Sequence, residues 1–215
     1  MEQKSIMMFK ISGGCGIVTP IIAFMFISLS IGSAPEFSWA NNALSDLGVM
    51  PGVTATLFNY DLIVSGILGF IFATSLFRLL RFKILSRNTR LRYPTHMGLG
   101  GALLFSLACL ALAAIGVFPE NVRFVHFFAS VAFFVLLIGS LLRMGIGFWR
   151  ARQKSLAAFT LLLGVVAAVP WLLLFVVRYV SGLAIPEFIS AIAGGLWAAV
   201  FGFKMLKAAS KLKGF

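Results

Sequence analysis

"ISGGCGIVTPIIAFMFISLSIG", residues 11–32, contains no charged side chain. Wound as an α-helix at 1.5 Å per residue it covers about 33 Å, enough to cross a hydrocarbon core of roughly 30 Å. Lys4 and Lys10 precede it, in the manner of a signal peptide. The apolar run is too long for such a segment, and Pro35 follows the small-residue stretch "GSA". The run therefore reads as a retained first membrane span.

Five more runs of this kind follow. The six spans are placed at Ile11–Gly32, Thr56–Leu80, Pro94–Val117, Val122–Leu142, Leu156–Val177 and Glu187–Lys207. Composition agrees. The 215 residues are 60% hydrophobic and 11% charged, with 23 phenylalanines, against about 25% charged residues in a soluble domain. Lipid offers the backbone no hydrogen bonds, so each span must be a helix. The expected fold is an all-α polytopic integral membrane protein, one domain over residues 1–215. Pro94 and Pro186 are placed to open helices and Pro170 to kink the fifth. Ser65 with Gly69, Gly98 with Gly100 and Gly101, and Gly194 with Gly195 are placed for close helix packing.

The net charge of +12 does not mean nucleic acid, because the basic residues sit in short clusters between apolar runs. Arg78, Arg81, Lys83, Arg87, Arg90 and Arg92 crowd the second connection, and Arg143, Arg150, Arg152 and Lys154 the fourth. Lys204, Lys207, Lys211 and Lys213 fill the tail. Of the 18 basic residues only Arg123 and Arg178 fall on the other side. The positive-inside rule then predicts a multi-pass protein of the cell membrane with both termini cytoplasmic.

The acids do the reverse. Glu36, Asp46, Asp61, Glu120 and Glu187 fall in or near the outer connections, and only Glu2 lies inside. Acids contribute little to orientation, so their placement needs another cause. In "SWANNALSDLGV", residues 38–49, Ser38 can cap and Gly48 can close a short helix from Trp39 to Leu47. Ala40, Ala43, Leu44 and Leu47 would share one face, and Asn41, Asn42, Ser45 and Asp46 the other. This is a short amphipathic helix in the first outer loop. With no basic residue on its polar face, it should rest against protein or an outer cavity rather than against anionic lipid.

The string "NALSDLG", Asn42–Gly48, following a first span, resembles the signature of a family of uncharacterised six-helix membrane proteins of archaea and bacteria, domain of unknown function 998. "LFN" at Leu57–Asn59 and "GVFPENVRFVH" at Gly116–His126 extend the resemblance. It implies six helices and a motif set on the outer side. It brings no reaction and no catalytic residues.

The site residues expected on the outer side are Asn42, Ser45, Asp46, Asn59, Asp61, Glu120, Arg123, His126, Arg178 and Glu187. Asp46, Asp61 and His126 are expected to converge, close enough for direct or water-bridged contact, with Arg123 or Arg178 pairing the acids. Three functions fit. The first is a binding or transport protein whose outward-facing polar pocket takes a lipid or small amphiphile. The second is an enzyme on lipid headgroups at the outer leaflet, with His126 as acid or base oriented by Asp46 or Asp61. The third is a polar network that only stabilises the bundle. The implied partners are membrane lipids. No metal or cofactor is called for: one outer histidine is thin for zinc, and no H-E-x-x-H, P-loop or dinucleotide fingerprint occurs.

Overall fold

The structure is a computed structural model, and it describes residues 2–81 and 96–211. The expected positions Lys83, Arg87, Arg90, Arg92, Pro94 and Lys213 lie outside these. Among the described residues there are six α-helices: α1 (Glu2–Gly32), α2 (Val53–Arg81), α3 (His96–Val117), α4 (Arg123–Arg150), α5 (Lys154–Val177) and α6 (Ala184–Lys211). Each contains a stretch long and apolar enough to cross a membrane. The predicted spans all reappear. Most helices overrun them at the ends, where the chain turns polar but still satisfies its own backbone.

Each helix packs on its neighbour in sequence, and α6 returns to α1, so the six close a ring in chain order. Small residues make the closest seams. A Cβ on Gly147 would press into the main chain of Gly98, and one on Gly101 into Ser140 and Met144, which seals α3 to α4. Gly13 and Gly202 do the same for α1 and α6. Gly69 also packs closely, since a Cβ there would meet Cys109 Sγ on α3 at 2.9 Å, and both Ser65 and Gly69 line a cavity inside the ring.

The ring is filled toward its basic end by an aromatic cluster. Trp197 is fully buried, stacks on Phe201 at 4.2 Å and meets Phe105 at 5.1 Å. Its indole N–H donates to Thr160 Oγ1 at 3.1 Å and ties α6 to α5. Pro170 lies inside α5 as expected. Pro186 is not the first residue of α6, which begins at Ala184. It still falls within the first turn, where a missing N–H costs nothing.

Candidate functional site

The site is built around the first connection, residues 33–52. Ser38 O accepts from the N–H groups of Asn41 (3.2 Å) and Asn42 (2.9 Å), which closes a turn. Asn42 Oδ1 accepts from Ser38 N–H at 2.9 Å and locks it. The chain then runs into a 310 helix, Leu44–Val49. The expected α-helix from Trp39 to Leu47 is thus shorter, later and tighter, and Gly48 lies within it rather than past its end. Tertiary bonds explain why. In an α-helix Asn42 O would accept from Asp46 N–H. Here it accepts from Leu183 and Ala184 at the start of α6, at 3.1 and 2.9 Å. Asp46 N–H turns to Ala43 O at 3.3 Å.

The same segment is fastened at further points. Ala40 O accepts from the N–H groups of Ser181 and Gly182 at 3.0 and 2.8 Å. Gly182 must be glycine there, because a Cβ would collide with the main chain of Asn41 and Asn42. Glu187 Oε2 accepts from Leu44 N–H at 2.6 Å. Asn59 Nδ2 donates to Gly48 O at 2.8 Å and ties the 310 helix to α2. Leu44 and Leu47 are buried beneath, so the segment roofs the ring.

Under this roof lies a cavity of about 130 Å³, lined from α1, α2, α3, α4 and α6 and not from α5. Its lining is apolar apart from a few groups, among them Ser45, Asp61, Ser65, Ser130 and Glu187. Asp61 is 1% exposed. Its Oδ1 accepts from Ser65 Oγ at 2.9 Å, and its Oδ2 has no hydrogen-bond partner. An unpaired carboxyl oxygen in such surroundings costs several kcal/mol.

At the rim the acids cluster. Asp46 Oδ2 accepts from Asn42 Nδ2 at 2.7 Å and from Ala43 N–H at 3.1 Å. The Glu120 carboxyl hydrogen-bonds Asp46. Burial, this hydrogen bond and the Asp46 charge push Glu120 up to about 6, with Arg123 pulling the other way. Glu187 feels the charges of both. Asp46, Glu120 and Glu187 therefore form one acidic group at the first connection, fed by three different parts of the chain.

His126 is buried at the start of α4. One ring nitrogen, Nδ1, lies 2.9 Å from Phe118 O and donates to it; Nε2 lies 3.3 Å from Ser130 Oγ. No hydrogen bond joins Asp46, Asp61 and His126 among the described residues. Arg123 and Arg178 do not pair with Asp61 or Glu187 as expected. Both are exposed, and Arg178 caps α5 in the left-handed region at φ 49°. Long cationic side chains at helix ends reach water more cheaply than a buried partner. The partners that sequence reasoning passed over are Ser65 and Ser130, each four residues after an ionisable group, the spacing that stacks side chains on one helical face.

A family model described as "Protein of unknown function (DUF998)" matches residues 17–204, from within α1 into α6. No curated protein and no solved structure matches the chain.

Proposed function

Since this chain belongs to that family of integral membrane proteins of unknown function, which brings no reaction with it, we propose a function from its geometry: it binds a small amphiphile in the cavity inside its helix ring. We place the acid-bearing end outward and the termini in the cytoplasm of a cell-membrane protein, because the basic residues collect at the opposite end. The observation that carries the reading is a long apolar cavity with one unsatisfied carboxyl oxygen in its wall. Asp61 and Gly69, both in the lining, stand eight residues apart on α2, about 12 Å of helix rise. The space beyond Asp61 is therefore long enough for part of an alkyl chain. Its volume resembles dry cavities of about 150 Å³ that take up benzene-sized molecules. It favours one slender chain over a two-chain phospholipid.

The enzymatic alternative has weaker support. A general base must come within hydrogen-bond reach of the proton it takes; His126 is not among the cavity-lining residues and meets that space only through Ser130 Oγ, 3.3 Å from its Nε2.

The test is photolabelling in phosphatidylcholine nanodiscs with dodecanol carrying a diazirine on its chain. Label should appear on cavity residues such as Phe105, Phe133 and Leu137, compete with excess unlabelled dodecanol, and disappear in Ala191→Phe, which fills the cavity. Label confined to the lipid-exposed faces, at Phe175 or Val176, would defeat the proposal.

A further inference from the structure

Within the reading of the cavity as an amphiphile site, its walls also say which headgroup belongs there. The lining includes two acids, Asp61 and Glu187, and no lysine, arginine or histidine. The two are not equivalent. Glu187 already receives backbone N–H donors from Leu44 and Ser45 and serves to hold the roof down. Asp61 receives one hydroxyl on Oδ1 and nothing on Oδ2. That oxygen is sealed from solvent, and its residue is one of those that line the cavity, among apolar groups and small hydroxyls.

A carboxylate or phosphate head would bring a negative charge beside Asp61 with no cation in the wall to offset it. A neutral hydroxyl could satisfy Oδ2 but would leave an ionised Asp61 without a counter-charge. An ammonium does both: it donates hydrogen bonds and neutralises the carboxylate, an interaction that strengthens as water is excluded. Two rim acids outside the lining, Asp46 and Glu120, act on Glu187 with their negative charge, and Arg123 partly offsets Glu120. Arg123 and Arg178 are exposed and stand outside the lining.

We propose that the cavity is a site for amphiphiles with an ammonium head, that Asp61 Oδ2 anchors this head, and that the alkyl chain runs down toward Phe105 and Trp197. A single-chain amine presents this ammonium in the form that the volume favours and without a phosphate; the ammonium of phosphatidylethanolamine is the other source of the same group in a membrane.

The experiment extends the labelling above to three diazirine probes of equal chain length: dodecylamine, dodecanol and dodecanoic acid, each in phosphatidylcholine nanodiscs. The amine should label cavity residues at a concentration about tenfold below the alcohol, with the acid weakest. Asp61→Asn should bring the amine down to the level of the alcohol while leaving alcohol labelling in place, which also shows that the variant is folded. Equal labelling by all three heads, or an amine preference that survives Asp61→Asn, overturns the headgroup assignment and leaves the cavity reading standing. Absence of cavity label from every probe overturns both. Replacing part of the phosphatidylcholine with phosphatidylethanolamine separates the sources: loss of amine label supports recognition of the lipid's own ammonium, and its persistence supports a single-chain amine.

Discussion

Glu120 is the residue whose titration should be visible in the whole protein. Its carboxyl is held at about 6 against an ordinary 4.5, so the folded state grips this proton more tightly than the unfolded chain does. Stability from this group is present in full below the unfolded value and is lost as pH rises through about 6. The thermal midpoint in detergent should therefore fall between about pH 5 and pH 7, and Glu120→Gln should flatten that fall. An unchanged slope in the variant would mean that Glu120 does not govern it. Some residues of this site were legible in the sequence and others were not. The segregation of acids from bases marked Asp46, Glu120 and Glu187, because charge placement relative to spans needs no three-dimensional knowledge. The expected pairing of Asp61 with an arginine is not found; its Oδ1 accepts from Ser65 instead. Counting opposite charges on one side of a membrane says nothing of whether a side chain points to the ring or to water. Ser65 was within reach of sequence reasoning, since it stands one turn after Asp61 on the same face.

Among the elements, the seam between α3 and α4 depends on glycine. The main chains of Gly98 and Gly147 pass so closely that any side chain on Gly147 must push the helices apart. Gly147→Leu should cost about 1–3 kcal/mol, as overpacking of a filled interior does. Gly14→Leu is the control, since nothing lies within 4 Å of a Cβ there. A comparison of thermal midpoints checks this; equal values for the two variants would remove the seam from the account of stability. Gly98 and Gly101 were legible as packing residues because small residues let transmembrane helices approach. The first connection was legible only in part. Its hydrophobic positions at Leu44 and Leu47 do face inward, as a helical period requires. Its helix type was decided elsewhere, by N–H groups at the start of α6 that compete for the Asn42 carbonyl.

For the whole molecule, the number of the six apolar helices was the most legible feature, since length and hydropathy alone mark them once water is excluded; their ends were less so, α4 running on to Arg150 past the expected Leu142. The circular order of the helices is a fact of packing that no run of apolar residues encodes. The positive-inside rule is the ground for the proposed orientation, and cysteine accessibility tests it. Glu36→Cys, at an exposed position in the first connection, should react with a membrane-impermeant maleimide on intact cells. Lys154→Cys, exposed at the start of α5, should react only after the cells are opened. The reverse pattern would turn the protein over and put the cavity mouth on the cytoplasmic side.

The staple between the first connection and α6 uses main-chain atoms: the carbonyls of Ala40 and Asn42 on one strand of chain, the N–H groups of Ser181 to Ala184 on the other. Main-chain atoms are the same in every residue except at proline nitrogen. What the chain must preserve there is a distance along itself, not an alphabet. Ala40 can change its letter without altering the carbonyl it offers. A single residue inserted between Ala40 and Asn42 would slide one carbonyl past its partners while leaving the other in place. Such a segment can drift in spelling and still keep the roof on, provided that its length is held constant and position 182 stays bare.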